Sequence, residues 1–363
     1  MHVLHVVESF GAGCLMALQT LCRSLQHDVR QTVLYGRRAE TPADVTKIFP
    51  TNVSCREIPL SRSFNPVCEW RGFWVLLKGI KQSRPDIVHC HSSKAGFWGR
   101  TAARALGIPS VYTPHGYAFL RTDISPLSRT CFKAAEWWGA RLGSAIMACG
   151  DEEYVLSRHL APQEANVRCV PNALNLTYID SLRLEQSSAE KSKPQIGICG
   201  RVDAARNPQL FGSIAGKLAE KGEWHWIGAE ENTINLPAHV HRSGWLDHEN
   251  AIRALDSLDI YLHTSAWEGC SYAILEAMAL GKPVIATDIP ANRALVEHGV
   301  TGFLGSTEAK LLDFVSRLLS DKALRLQMGA AGRKRVELKH NAATSYVAYL
   351  ELYRELLAKT SRV

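Results

Sequence analysis

Trp267-Glu268-Gly269-Cys270-Ser271-Tyr272-Ala273-Ile274-Leu275-Glu276 runs without a break into Ala277-Met278-Ala279-Leu280-Gly281-Lys282-Pro283-Val284-Ile285-Ala286. The residues before it, around Asp259–Thr264, read as a strand. Tyr272–Leu280 reads as a helix and Val284–Thr287 as the next strand. Gly281 and Pro283 end the helix, because one tolerates a left-handed backbone and the other cannot continue the ladder. The block is therefore a strand–loop–helix–strand unit with two glutamates placed across its loop and helix.

The same pattern extends in both directions. Upstream, Gln195–Cys199 is a predicted strand, Gly200–Pro208 a loop, Gln209–Lys221 a helix and Glu223–Ile227 a strand. At the start, His2–Val7 reads as a strand, Glu8–Gly13 as a glycine-containing turn, Cys14–Gln26 as a helix and Gln31–Tyr35 as a second strand. Trp74–Gln82 and Leu127–Leu142 read as helices; Asp86–Cys90, Ser110–Thr113 and Ala145–Cys149 read as strands. Polar Ser187–Pro194 is linker-like. Two successive βαβ series predict an α/β protein of two Rossmann-like, doubly wound domains facing a central cleft. We expect them over residues 1–175 and 190–340. Residues 341–363 form a last helix with Tyr346, Tyr349, Leu350, Tyr353, Leu356 and Leu357 on one stripe. The sequence does not dictate where that stripe packs; a return to the first domain is the expectation.

Composition agrees with two cores. The chain has 363 residues, 46% of them hydrophobic, which is long for a single core. Up to Asn172 there are 20 Lys and Arg against 13 Asp and Glu, so the whole net charge of +7 lies in that half. A basic half suits an anionic partner such as a membrane surface or a lipid diphosphate; a solvated basic surface is the plainer reading. Nucleic acid is not expected. Ten scattered cysteines without a C-x-x-C pair read as reduced, buried thiols of a cytoplasmic protein. Strand alternation points His89 and His91 to one face, but the sequence identifies no further ligand, so no metal site is expected. The opening MHVLHVV has no basic region before it and reads as a strand, not a signal peptide. No run reaches the roughly 18–20 apolar residues of a spanning helix, so membrane association would be peripheral.

The chemistry concentrates in four places. Ser271 is a plausible N-cap, and the N–H groups near Cys270, Ser271, Tyr272 and Ala273 make an anion site with the helix dipole. Glu276 lies about 6 Å down that helix and leans back toward its start, so its carboxylate can take both hydroxyls of a ribose. Alone it would be an ordinary helix carboxylate. Arg201 and Arg206, five apart on a loop, can clamp a diphosphate by bidentate hydrogen bonds. Gly13, in Phe10-Gly11-Ala12-Gly13, permits close backbone approach to a ligand. His115, in Thr113-Pro114-His115-Gly116, can donate to a sugar hydroxyl or to developing phosphate charge, or be a structural turn residue.

Taken together, these blocks resemble the retaining family-4 glycosyltransferases of the GT-B fold across nearly the whole chain. Glu268 and Glu276 are similar to that family's E-x-seven-E signature. The resemblance implies that Glu268 contacts the donor sugar and Glu276 the ribose. Arg201 and Arg206 would neutralise the leaving diphosphate, with Arg206 where the family usually has Lys. Gly13 would lie against the donor phosphates and His115 at the active-site floor. Pro290-Ala291 departs from the Gly pair often found there. His91-Ser92-Ser93-Lys94-Ala95-Gly96 and the stretch Tyr117–Arg129 look like bacterial polysaccharide transferases. The expected partners are a nucleotide sugar, with UDP as carrier, and a saccharide acceptor on a polyprenyl diphosphate. No D-x-D occurs, so cationic side chains and the helix end are expected to replace a metal, and no cofactor is expected. Arg121, Arg129, Lys133 and Arg141, near Trp137 and Trp138, are the candidate contacts to an anionic inner membrane face. Two other readings compete. An NADP-dependent oxidoreductase would use Gly36-Arg37-Arg38 for a 2′-phosphate but leaves Glu268 and Glu276 unexplained; a GT-B nucleotide-sugar epimerase would need no acceptor.

Overall fold

The computed structural model describes residues 1–38, 41–60, 65–183, 192–230 and 236–360; residues 187–191 of the expected linker lie outside them. The chain divides into two units, Met1–Asn172 with Ala342–Val363, and Ala173–Asn341. The strands are short, and the central ones are buried along their whole length, as in β1 and β4 below. Such strands need helices on both faces, which is the parallel α/β solution.

The first unit runs β1 (His2–Val7), α1 (Ala12–Ser24), β2 (Arg30–Tyr35), β3 (Val53–Glu57), α2 (Pro66–Ser83), β4 (Ile87–His91), α3 (Ser93–Ala105), β5 (Ser110–Thr113), α4 (Pro126–Leu142), β6 (Ala145–Ala148), α5 (Asp151–Leu160) and β7 (Asn166–Cys169). Its strands pair in parallel in the order β3-β2-β1-β4-β5-β6-β7. The second runs α6 (Leu176–Ser181), β8 (Gln195–Cys199), α7 (Pro208–Lys217), β9 (Glu223–Ile227), β10 (Val240–Arg242), α8 (His248–Asp256), β11 (Ile260–His263), α9 (Tyr272–Ala279), β12 (Val284–Thr287), α10 (Pro290–Leu295), β13 (Gly302–Gly305), α11 (Glu308–Ser320) and α12 (Lys322–Lys339). Its parallel order is β10-β9-β8-β11-β12-β13. The chain then adds α13 (Ala342–Ser345) and α14 (Val347–Thr360) to the first unit. Each order reverses once, at β1/β4 and at β8/β11, and a doubly wound sheet binds ligands at the strand ends beside such a reversal.

Packing explains what holds those ends still. In the first unit α3 presses on the sheet through glycine: a Cβ on Gly96 would lie 2.2 Å from the Tyr112 ring, and one on Gly99 2.4 Å from Cys90 Sγ. Arg100 is fully buried between α3 and α4, paired to Glu136 at 3.0 Å and lying 3.9 Å from the centre of the Tyr112 ring. Removing one partner would strand the other charge at about 3–5 kcal/mol. In the second unit Trp224 and Trp226 of β9 are fully buried and meet the edge of Phe211 at 5.9 and 5.1 Å. Trp226 Nε1 also donates to Gly200 O at 2.8 Å, tying the core to the loop after β8.

Several expectations change. α2 begins at Pro66, well before Trp74, because Asn65 accepts from the N–H groups of Val67 and Cys68 and Pro66 needs no partner there. α7 stops at Lys217, and Ala219–Lys221 is a separate 3-10 turn. On α14 the buried side chains include Leu352, while Leu350 and Leu357 are only half-buried. Only three of the ten cysteines, Cys22, Cys90 and Cys149, are buried; Cys68 and Cys131 are exposed on helices. Trp245, which as a tryptophan of such a domain would be expected in the core, is 48% exposed, because it lies beyond the edge strand β10 after Gly244 at φ +68.

Candidate active site

In the second unit the loop after β8 is shaped by backbone. Gly200 has φ +134, and a Cβ on it would lie 2.8 Å from Arg206 Nε. Asn207, at φ +49, caps α7 through its side chain. The loop is strapped to the end of β11: Ala266 N–H donates to Ala205 O at 2.8 Å, and Thr264 Oγ1 donates to Arg206 O at 2.7 Å. Arg206 thus reaches the β11 loop, where Nη1 pairs with Glu268 Oε1 and lies 3.2 Å from Ser265 Oγ. Its Nε is buried without a hydrogen-bond partner. A buried guanidinium with an unmet donor is a receiver for an anion. Arg201 is exposed on the same loop, 3.7 Å from Asp203.

Glu268 Oε1 meets Arg206, Ser265 Oγ at 3.1 Å and His263 Nε2 at 3.3 Å. Its Oε2 makes no hydrogen bond among the described residues. Burial, then the Arg206 charge, holds His263 well below the usual histidine range, so the ring beside Glu268 is neutral, and its Nε2 makes no hydrogen bond among the described residues. Tyr261 OH lies 3.2 Å from His263 Nδ1 and orients the ring from behind.

Ser271 takes the N-cap position of α9 but its side chain does not cap; Oγ is buried and unpartnered. The first turn carries no acidic residue, so nothing there offsets the positive end of the helix dipole. Glu276 sits buried in the second turn. His248 Nε2 contacts its Oε1 at 2.8 Å, and its Oε2 makes no hydrogen bond among the described residues. The Tyr178 ring stacks on His248 at 6.0 Å. The Cys199 thiol, at the end of β8, is pushed up to about 12 by burial first and by the Glu276 charge next.

In the first unit the site residues stand at the β1/β4 reversal. Gly13 lies in the first turn of α1, exposed; the expected turn ends two residues earlier, because extended Gly11 takes the N-cap and the helix starts at Ala12. His115 follows β5 with φ +54, a left-handed conformation that non-glycine residues adopt rarely. Glu153 fixes this turn, accepting from Gly116 N–H and Cys149 N–H at 2.7 Å each. His115 Nε2 contacts His91 Nδ1 at 3.0 Å, and His91 Nε2 contacts His5 Nδ1 at 3.1 Å. Burial lowers His5 and His115 to about 4 and His91 well below its usual value.

The sequence missed the third histidine. Among the described residues His5, His89 and His91 bring ring nitrogens within 4.8 Å of one another. His5 arrives from β1, a strand neighbour far away in sequence, which spacing alone cannot reveal. The trio holds no anionic ligand, and His89 already contacts Tyr353 OH at 2.7 Å and Thr113 Oγ1 at 2.9 Å. Arg37 and Arg38, which a dinucleotide reading would place on a 2′-phosphate, are paired to Glu57 and Glu8 at 2.8 and 2.7 Å. The sequence also missed a larger aromatic surface: Trp70 and Trp74 on α2 are 60% and 51% exposed, and Trp137 and Trp138 on α4 48% and 55%. Lys133 and Arg141 are exposed beside the latter pair, while Arg129 is half-buried. Among the described residues, no helix is long and apolar enough to cross a membrane.

Comparison with known proteins follows this geometry. Residues 16–178 match the family described as Glycosyltransferase Family 4, and residues 189–335 match Glycosyl transferases group 1. An Escherichia coli protein named UDP-Gal:alpha-D-GlcNAc-diphosphoundecaprenol alpha-1,3-galactosyltransferase is 26% identical over 309 residues, 78% of this chain and 77% of that one. A Campylobacter jejuni protein named N,N'-diacetylbacillosaminyl-diphospho-undecaprenol alpha-1,3-N-acetylgalactosaminyltransferase is 23% identical over 323 residues, 81% of this chain and 84% of its own. Among solved structures, sucrose-phosphate synthase of Thermosynechococcus elongatus superposes with a TM-score of 0.85 at 16% identity, covering 99% of this chain and 100% of that one. HepE of Anabaena, in complex with UDP and glucose, superposes with a TM-score of 0.80 at 16% identity, covering 98% and 100%. At these identities the structural likeness is one of fold.

Proposed function

The chain belongs to the family-4 glycosyltransferases of the GT-B fold, and on that premise we propose that it moves a hexose from a UDP-sugar to a saccharide on a polyprenyl diphosphate, with retention, in building a bacterial surface polysaccharide. One observation carries the reading. Among the described residues, two carboxylates, each hydrogen-bonded or ion-paired through one oxygen and with no hydrogen bond at the other, flank a helix start whose cap hydroxyl is unpartnered.

In this proposal the diphosphate takes the N–H groups from Cys270 to Ala273, the Ser271 hydroxyl and the guanidinium groups of Arg206 and Arg201. Gly13 lets backbone approach the phosphates. Glu276 accepts the ribose diol through Oε2, while His248 holds Oε1. Glu268 accepts sugar hydroxyls, and His115 meets the saccharide. The bond from the anomeric carbon to the diphosphate oxygen breaks as the acceptor oxygen bonds to that carbon on the same face. The acceptor proton leaves on a phosphate oxygen of UDP. Positive groups fixed around the diphosphate act more strongly as charge moves onto it, so they favour the transition state. The names of the Escherichia coli and Campylobacter relatives, both with undecaprenyl-diphosphate acceptors, support the lipid-linked acceptor. The net basic first half and its four exposed tryptophans support docking on an anionic leaflet.

The test pairs UDP-galactose, UDP-glucose, UDP-N-acetylglucosamine and UDP-N-acetylgalactosamine with GlcNAc-diphosphoundecaprenol. A product one sugar heavier with an α anomeric proton is expected. NADPH turnover, or epimerisation without acceptor, in the absence of any transfer would overturn the reading.

A further inference from the structure

His115 ends a line of side chains that crosses four neighbouring strands: Gln31 on β2, His5 on β1, His91 on β4, and His115 just beyond β5. The line has a direction, fixed at its far end. Gln31 Nε2 donates to Cys22 O at 2.9 Å, and a carbonyl can only accept. Gln31 therefore turns Oε1 to His5 Nε2, 3.2 Å away. The flipped amide would set two oxygens against each other at that first contact. His5 Nε2 must then carry hydrogen, and because burial keeps the ring neutral, Nδ1 is bare. It accepts from His91 Nε2, which leaves His91 Nδ1 bare to accept from His115 Nε2. The last ring is thereby left with its lone pair on Nδ1, an atom with no hydrogen bond among the described residues, on a half-buried side chain. Glu153 holds the turn that carries it.

We infer that Gln31, His5 and His91 are positioning residues that hold His115 as the Nε2–H tautomer, so that it accepts a hydrogen bond from a saccharide hydroxyl and does not serve a phosphate as a neutral donor. This rests on the proposal that His115 meets the saccharide, and it replaces the donor roles read from the sequence with an acceptor one. His89 stands outside the line, since both its nitrogens are taken by Tyr353 and Thr113.

The test uses the full chain labelled with 15N-histidine at pH 7.5. Two-bond 1H–15N correlation reads which ring nitrogen carries the proton, and His115→Asn identifies the His115 signal by its loss. The wild type should show Nε2–H at His115. An Nδ1–H or imidazolium pattern, or one that changes when EDTA strips a metal, overturns the inference. His91→Leu should give a mixture of tautomers, and His91→Gln, whose amide oxygen can accept, should restore one. UDP, UDP-glucose and UDP-galactose are then titrated. A UDP-sugar that binds more tightly than UDP must move the His115 Nδ1 resonance; binding without that movement refutes the acceptor role. His91→Leu should lower the preference for that sugar over UDP about two- to tenfold, the worth of one neutral hydrogen bond, while UDP affinity holds. An equal loss for both ligands means a merely structural role. If UDP does not bind the wild type at all, the nucleotide proposal falls, and the wild-type spectrum still decides the tautomer.

Discussion

Mild acid should unfold the first unit, and its buried histidines set the steepness. Burial lowers His5 and His115 to about 4 and holds His89 and His91 well below their usual range, whereas each would titrate at 6.5 in a solvated chain. Below pH 6.5 the unfolded chain therefore binds protons that the fold refuses. Stability is complete above that pH and drains as pH falls toward 4. Each such group removes about 1.4 kcal/mol per pH unit once the unfolded ring is charged, so four remove about 5 kcal/mol per unit. That is comparable with the whole stability of an ordinary domain, about 5–15 kcal/mol. Glu153 opposes the trend: burial raises its pKa, so the folded carboxyl takes up a proton earlier than the unfolded one. The half-buried carboxylates with lowered values, such as Glu308 and Asp288, act only below their ordinary range, under pH 4.5. Urea unfolding between pH 7.5 and 5, with proton uptake read by calorimetry in buffers of different ionisation heat, gives the number directly. Uptake should reach at least about four protons at the low end, with His2, and His263 of the second unit, adding to it, and His89→Gln should remove about one of them. Uptake of about one proton or fewer would mean that these rings are solvated and charged in the fold, and would refute the reasoning.

Glu276→Ala should weaken UDP binding by about 1.5–3 kcal/mol in titration calorimetry, with an unchanged circular dichroism spectrum; unaltered affinity would remove the ribose role. Turnover should persist in excess EDTA, because Arg201, Arg206 and the start of α9 meet the leaving charge; activity lost on chelation and restored by magnesium or manganese would show that account to be wrong. Sedimentation with liposomes should rise with anionic lipid, fall with salt, and weaken when Trp70, Trp74, Trp137 and Trp138 become Ser or when Arg129, Lys133 and Arg141 become Glu. Equal recovery on neutral and anionic vesicles at low salt would rule out docking.

The sequence carried the fold class because central strands and their punctuation are local. β1, β8 and β9 read residue for residue from apolar runs bounded by turns. β3 and β7 did not, since edge strands such as Val53–Glu57 and Asn166–Cys169 are polar and partly exposed. α3 escaped notice for the opposite reason. It packs so closely that its core face is Ala and Gly around the buried Arg100, while its large apolar residues, Phe97 and Trp98, are only half-buried, so no apolar stripe marks the buried side. At the site, the glutamate block was legible as a spacing, but the side chains that steer it were not. His248 meets Glu276 and His263 lies under Glu268 through packing, for which no sequence interval is diagnostic. The period of two from Tyr261 to His263 was the one available hint that the histidine points with the tyrosine into the sheet's face. His5 and His91 likewise meet only through strand pairing.

The route of the chain has a consequence for synthesis on the ribosome. The backbone leaves the first unit at residue 172 and returns at 342, and the entering and leaving segments pair where Leu174 N–H donates to His340 O at 2.8 Å. Tyr349 and Tyr353 of α14, which cover His89, are therefore translated only after the whole second unit. At elongation speeds of about 5–20 residues per second that delay is on the order of 10 s. Throughout it, the nascent first unit holds a completed sheet whose histidine face has no lid. The second unit can finish folding as one continuous segment while the first, begun earlier, waits for its final helix. A chain ending just before residue 346, once released from the ribosome, should thus be open to protease in its older half and closed in its younger one.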